Sequence, residues 1–297
     1  MKASDNRTRT QFKSILFATD FSPAASAALP FAAELARRFG AKMYALHVRP
    51  PAVNPMTPPV SWIGLEEAAK TEDEQHRREL VSAFTGIHPE IIIKEGDLWS
   101  NLAAVLEEDD IDLIVMGTRG RSGARKFVLG SAAEEILRQV SCPVLTVGPN
   151  ASASAKRPGE LSRILFATDF SPGSNAAAPY AVSLAQECQA YLTLLHVIEE
   201  PKAGELVRAE ELISSSARLM RNLVPAEAEL SCVPEYVVEQ GVAADKILEV
   251  ALRCRAELIV LGIRRPSGVP GAATHLPIAI AHKVVSHAEC PVLTVRG

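Results

Sequence analysis

Short apolar segments alternate with longer amphipathic segments along the first half of the chain. Five of the apolar segments have the length of a strand: SILFAT, MYALHV, EIIIKE, DLIVMG and PVLTV. Unbroken apolar runs of this kind are typical of parallel strands that are covered on both faces of a sheet. The pattern therefore predicts five buried strands.

The segments between these strands have helical patterns. Ser22 is a favourable N-cap residue and Pro23 a favourable first helical residue, so we predict that the first helix begins there. Three more helices are predicted, at Trp62–Phe84, Leu98–Glu108 and Ser131–Val140. Strands and helices in strict alternation predict an α/β fold, with a doubly wound, open parallel sheet of five strands in a Rossmann-like, nucleotide-binding arrangement.

The second half of the chain repeats the first. The segment ILFATDFSP at Ile15–Pro23 returns unchanged at Ile164–Pro172, and CPVLTV occurs near the end of each half. Self-similarity of this kind predicts two copies of one structural unit. The segment GPNASASAKRPGELS between the copies has the composition of a linker. We therefore expect two tandem domains, each with its own five-stranded sheet, at residues 1–150 and 151–297.

Composition narrows the class of protein. The chain has 297 residues, is 47% apolar, and has a net charge of −4 without a strongly basic or acidic half. It contains neither an apolar run of about 18 residues nor a secretion signal at its start. We therefore expect a cytoplasmic protein that binds neither nucleic acid nor a membrane. The five cysteines contain no C-x-x-C pair and are expected to be buried thiols.

A loop rich in glycine and arginine follows the fourth strand. It starts with GTRG at residues 117–120, continues for nine residues, and ends with GS at the start of the fourth helix. Glycines allow a close approach to an anion, and helix N-termini attract negative charge. The loop contains no acidic residue and four cations: Arg119, Arg121, Arg125 and Lys126. The pattern predicts a phosphate-binding loop, with an ordinary tight connection as the alternative.

Two further strand ends belong at the same edge of the sheet. Asp20 ends the first strand, where its carboxylate can accept hydrogen bonds from ribose hydroxyls or cap the first helix. Val48 ends the second strand, with backbone groups that can face the edge of a base. The proline-rich segment after it, residues 49–61, is either a stiff connector or a lid. His47 and His196 recur in both halves and are interpreted as packed strand residues.

Residues 12–147 and 161–296 both resemble the universal stress protein family. The resemblance rests on the ATDFS turn and on the motif G-x-x-G, nine residues, G-[ST], which Gly117, Gly120, Gly130 and Ser131 match in full. It implies that the first domain binds ATP or another adenine nucleotide, with Mg²⁺ left open as a companion ion. The nucleotide-binding residues expected on this basis are Ala18, Asp20, Val48, Met116, Gly117, Arg119, Gly120, Arg121, Gly130 and Ser131.

The resemblance also has implications for assembly and for the second domain. Single-domain members resemble pairs joined through their last strands, so we expect the two domains to pack as a pseudo-dimer through the CPVLTV segments. A homodimer of whole chains and protein partners are left open. In the second domain, Arg265 replaces the second motif glycine and His275-Leu276 replaces the G-[ST] pair. Prolines 266, 270 and 277 remove backbone donors nearby, so we expect this domain to be structural.

Other chemistry has weaker support. The chain lacks the P-loop, dinucleotide-binding, zinc-protease and α/β-hydrolase motifs. A metal site at His275, His282, His287 and Cys290 is considered, but the spacing matches no usual zinc pattern. Three functions remain: a nucleotide-binding stress-response regulator, a weak adenine-nucleotide hydrolase and a protein-interaction scaffold. The sequence favours the regulator, without turnover.

Overall fold

The fold is described from a computed structural model. The description covers residues 10–51, 62–118, 129–148, 151, 159–198, 209–263 and 275–297. Most of the proline-rich segment, the centre of the linker, the loop after the fourth strand and its counterpart in the second half lie outside these ranges.

The first half has the predicted alternation of parallel strands and helices. The strands are β1 (Ser14–Ala18), β2 (Lys42–Arg49), β3 (Glu90–Glu95), β4 (Leu113–Gly117) and β5 (Val144–Val147). The helices are α1 (Pro23–Phe39), α2 (Trp62–Ala83), α3 (Leu98–Glu108) and α4 (Ser131–Gln139). Each of these elements lies where the apolar pattern predicts it, to within two residues at most ends.

The second half repeats this arrangement. Its strands are β6 (Arg163–Thr168), β7 (Tyr191–Ile198), β8 (Glu235–Gln240), β9 (Leu258–Ile263) and β10 (Val292–Arg296). Its helices are α5 (Pro172–Glu187), α6 (Ala209–Asn222), α7 (Ala243–Arg253) and α8 (His275–His287). One face of the sheet packs against α1, α2, α5 and α6, and the other against α3, α4, α7 and α8. Two layers of helices therefore bury the sheet on both faces.

The two five-stranded units are joined edge to edge. The strand order is β3-β2-β1-β4-β5-β10-β9-β6-β7-β8, so the molecule has one ten-stranded sheet where the sequence suggested two separate ones. β5 and β10 pair antiparallel, with Leu145 opposite Leu293. The Thr146 hydroxyl donates to the Val292 carbonyl at 3.1 Å, and the Thr294 hydroxyl donates to the Val144 carbonyl at 3.2 Å. The contact expected between the CPVLTV segments is therefore present.

The cysteines are less buried than the sequence suggests. Cys188 and Cys290 are buried, whereas Cys142, Cys232 and Cys254 are partly exposed, so the expectation of five buried thiols is wrong for three of them. Partial burial raises the pKa of the Cys142 thiol to about 12, and full burial raises that of Cys188 to about 11 and that of Cys290 to about 12. These three thiols are therefore protonated at neutral pH.

The described ranges contain neither a metal-binding cluster nor a membrane-spanning helix. No three side chains of the metal-binding types His, Cys, Asp and Glu converge there. None of the helices in the same ranges is long and apolar enough to cross a membrane.

The threonine bonds across the β5–β10 junction make a first prediction. Replacing both Thr146 and Thr294 with valine keeps the side-chain shape and removes two buried hydrogen bonds. We expect the free energy of unfolding to fall by about 1–3 kcal/mol, because each such bond contributes about 1 kcal/mol. Urea denaturation measures this change. The control is Thr71→Val on the exposed surface of α2, where we expect a change within about 0.5 kcal/mol. An equal loss in both variants would contradict the prediction.

Candidate functional site

A cavity opens where the order of the strands reverses. β1 lies next to β4, but the chain runs from β1 outward to β2 and from β4 outward to β5. In open α/β sheets, ligands bind in the crevice beyond the carboxyl ends of the strands at such a point. The first half has a cavity of about 240 Å³ at this place.

Most of the residues selected from the sequence line this cavity. Seven of the ten do so: Ala18, Asp20, Val48, Met116, Gly117, Gly130 and Ser131. The other three, Arg119, Gly120 and Arg121, lie outside the described residues, as do Arg125 and Lys126. Sequence reasoning missed the apolar wall, which includes Leu46, Leu98, Leu102 and Ile136. The signal for Leu98 was its position directly after the third strand, at the same edge of the sheet.

Asp20 is held in a turn between β1 and α1. The Ser22 N–H donates to Asp20 Oδ1 at 3.0 Å, and the Phe21 N–H donates to Thr19 Oγ1 at 3.0 Å. Phe21 has φ = 60°, in the left-handed region. The residue that caps α1 is Ser22, whose Oγ accepts from the Ala25 N–H at 3.2 Å. Asp20 therefore shapes the turn, while the N-cap role that the sequence left open for it belongs to Ser22.

The backbone of Val48 lies beside the end of β1. The pairing of β1 with β2 ends at Ala18 opposite Leu46, and the Thr19 N–H donates to the Leu46 carbonyl at 2.9 Å. Alternate residues of a strand direct their N–H and C=O groups to the same neighbour. The groups of Val48 therefore face the same side as those of Leu46, beyond the last residue of β1. This side is the cavity.

Gly117 has a packing role that its motif does not indicate. A Cβ atom at Gly117 would lie 2.6 Å from the carbonyl carbon of Ala24 and 2.7 Å from the Ala25 nitrogen. The first turn of α1 therefore packs directly on the end of β4, and a side chain has no room there. Gly262, its counterpart in β9, meets the Gly173 backbone in the same way. Gly117 therefore has a helix-packing role, and it also lines the cavity, where its predicted role near an anion stays a prediction.

The start of α4 is also arranged differently from the expectation. The Gly130 N–H donates to the Thr118 carbonyl at 2.9 Å, so this donor joins the two ends of the glycine-rich loop and is not available to an anion. The next N–H groups, at Ser131 and Ala132, belong to the first helical turn and have no acceptor within the helix. Both residues line the cavity. The positive end of the α4 dipole therefore faces the cavity.

The turn between β1 and α1 also contacts a cluster of three rings, Phe21, His47 and His76, which the sequence did not reveal. His76 of α2 stacks on Phe21, with ring centroids 3.9 Å apart and planes at 12°. His47 Nδ1 donates to the Thr19 carbonyl at 2.8 Å, and His196 makes the same bond to Thr168 in the second half. These bonds fit the interpretation of His47 and His196 as packed strand residues. No local pattern could have identified His76, because its partner lies 55 positions away in sequence (76 minus 21).

Comparison with known proteins identifies the family. The profile of the universal stress protein family matches the chain twice, at residues 11–148 and 160–296. The chain belongs to this family. A universal stress protein of Methanocaldococcus jannaschii is 32% identical over 143 residues, which cover 46% of this chain and 82% of that protein.

Two further universal stress proteins match this chain along almost its whole length. A universal stress protein of Mycolicibacterium smegmatis is 26% identical over 299 residues, covering 95% of this chain and 96% of that protein. The crystal structure of a universal stress protein from Archaeoglobus fulgidus matches with a TM-score of 0.72 at 20% identity, covering 97% of this chain and 99% of that one. The fold is therefore shared along the whole chain.

The second universal stress protein unit keeps the turn but has a smaller cavity. Asp169 Oδ1 accepts from the Ser171 N–H at 2.9 Å, as Asp20 does from Ser22. The equivalent cavity, lined by Asp169, Val197 and Gly262, has a volume of about 80 Å³. Arg265 and the prolines at 266 and 270 lie outside the described residues, and α8 begins at His275. The side chains of His275, Leu276 and Pro277 also lie outside the description.

The contrast between the two glycines makes a second prediction. Gly117→Ala places a methyl group against the α1 backbone, so we expect the free energy of unfolding to fall by about 1–3 kcal/mol or more. Gly130 has φ = −67° and caps α4, so the matched variant Gly130→Ala should lose about 1 kcal/mol or less. Chemical denaturation compares the two. Equal losses would contradict the packing role of Gly117.

Proposed function

We propose that the first-half cavity binds an adenine nucleotide, with ATP as the principal ligand, and that binding is the regulatory signal of a stress-response protein. The observation that carries the proposal is the gathering of seven of the ten expected nucleotide-binding residues around one cavity at the reversal of the strand order. Membership of the universal stress protein family supports it.

Each part of the nucleotide has a chemically suitable partner in the cavity. The Val48 N–H and C=O match the donor and acceptor edge of adenine, and the apolar wall suits the faces of the base. The Asp20 carboxylate can accept hydrogen bonds from ribose hydroxyls. The α4 N-terminus suits phosphates through the Ser131 and Ala132 N–H groups. Arg119 and Arg121 are proposed to pair with the same phosphates, and Gly120 to let the loop approach them.

The proposal assigns different tasks to the two halves. Residues 1–150 form the nucleotide-binding unit, and residues 151–297 form a structural unit with a degenerate motif. The smaller cavity of the second half supports this division. Mg²⁺ would bind to the phosphates of the nucleotide as a counter-ion, and we assign it no ligand from the protein. A cytoplasmic location, whole-chain dimers and protein partners remain part of the proposal.

Isothermal titration calorimetry with ATP tests the function. We expect about one ATP per chain, because the first half alone combines the intact loop with the larger cavity. A stoichiometry near two would contradict the structural role of the second half, and no binding would refute the proposal. Repeating the titration with EDTA measures the contribution of Mg²⁺. Rapid ADP formation in the same sample would favour a hydrolase over a regulator.

Gly130→Asp makes a sharper test of the phosphate end. Aspartate is a favourable N-cap residue, so α4 should keep its stability, but its carboxylate faces the position proposed for the phosphates. We expect ATP affinity to fall more than tenfold. The matched control is Gly130→Asn, which has the same shape and capping ability without the charge, and should bind ATP within about threefold of the wild type.

The outcome also separates the regulator from a scaffold. Equal losses of affinity in the two Gly130 variants would show that bulk, and not charge, disturbs the site. If Gly130→Asp loses ATP but keeps the binding of a protein partner at full affinity, the nucleotide is incidental to partner recognition and the scaffold is favoured.

A further inference from the structure

The two halves differ at the fifth residue after the turn aspartate. This residue is Ala25 in the first half and Ser174 in the second, and each lines the cavity of its own half. The first cavity has a volume of about 240 Å³ and the second about 80 Å³. Both residues lie in the first turn of the helix that follows the aspartate, α1 or α5.

Ser174 binds the aspartate of its own half from inside the cavity. Its hydroxyl donates to Asp169 Oδ1 in a short contact and accepts from the Asp169 N–H at 3.2 Å. It also lies 3.2 Å from the hydroxyl of Ser171, the N-cap residue of α5. The Ser174 hydroxyl therefore donates to the carboxylate oxygen to which a ligand hydroxyl would otherwise donate. Ala25 has only a methyl group at the equivalent position.

We infer that Ser174 is an internal substitute for a ligand hydroxyl, and that alanine or serine at this position determines which half accepts the ribose of a nucleoside. The inference rests on the proposed function, in which the turn aspartate of the first half accepts hydrogen bonds from ribose. Ser174 thus prevents the ribose of a nucleoside from binding to Asp169 in the second half, and it does so independently of the changes in the phosphate loop.

The energetic argument is one of competition. The Ser174 hydroxyl is tethered to the helix, so it binds the carboxylate without the loss of translational and rotational freedom that a ligand undergoes. A ribose that binds Asp169 Oδ1 must displace this bond before it forms its own, and it gains little from the exchange. A hydrogen bond to a charged group is strong enough for its loss to change affinity about ten- to hundredfold.

Reciprocal exchange of the two residues tests the inference. Ala25→Ser and Ser174→Ala each introduce the residue that the other half already contains, so both variants should fold. Calorimetry with ATP and with 2′,3′-dideoxy-ATP compares ligands with and without ribose hydroxyls. We expect Ala25→Ser to weaken ATP about ten- to hundredfold and to change the affinity for dideoxy-ATP by less than about threefold. The control is Ala27→Ser on α1, outside the described cavity lining.

The reciprocal variant is tested with adenosine, which needs no phosphate loop. We expect about one adenosine per chain for the wild type, and we expect Ser174→Ala to raise the affinity of the smaller second-half cavity for adenosine about ten- to hundredfold, so that a second, weaker site becomes measurable. If Ala25→Ser weakens both triphosphates equally, the serine acts by bulk and the inference is wrong. If neither exchange alters binding while the wild type binds ATP, the inference fails and the proposed function stands. If the wild type binds no ATP, the proposed function fails, and the gain of adenosine binding in Ser174→Ala decides the inference separately.

Discussion

The close contact between the first turn of α1 and the end of β4 is the constraint on which the candidate site depends. Gly117 allows it, because a Cβ there would lie 2.6 Å from the Ala24 backbone. The contact brings the turn that contains Asp20 next to the strand that leads into the glycine-rich loop. The Gly130–Thr118 hydrogen bond then joins the two ends of that loop and places the N-terminus of α4 at the same cavity. The sugar and phosphate ends of the proposed ligand site are thus positioned by backbone packing.

The internal repeat separates residues needed for the fold from residues suited to a ligand. The second half keeps the helix contact at Gly262, the turn at Asp169 and the histidine bond to the turn at His196. It keeps them although its phosphate motif is lost, so these features serve the fold in both halves. The halves differ at many positions, and among these we expect ligand selection to act at the loop and at the pair Ala25 and Ser174.

Elements with a strong local pattern could be predicted from the sequence, and contacts between distant residues could not. An apolar run such as EIIIKE has its strand signal within six residues, and the edge of the sheet at which Asp20, Val48 and Gly130 meet follows from strand direction alone. The use of the Gly130 N–H, the packing on Gly117 and the Phe21–His76 stack depend on partners far away in sequence. The expectation that all five cysteines are buried failed for the same reason, because tertiary neighbours determine the exposure of a residue such as Cys142.

The β5–β10 pairing explains why a unit with a degenerate motif can still be useful to the molecule. β5 is buried along its whole length, and such a strand left unpaired would be an apolar edge prone to association. β10 covers it, and the edges of the ten-stranded sheet become β3 and β8, whose ends are charged or polar: Glu90, Lys94, Glu95, Glu235, Glu239 and Gln240. Covering an edge requires a strand and its core but no phosphate loop. The second half can therefore lose its motif and keep its structural task.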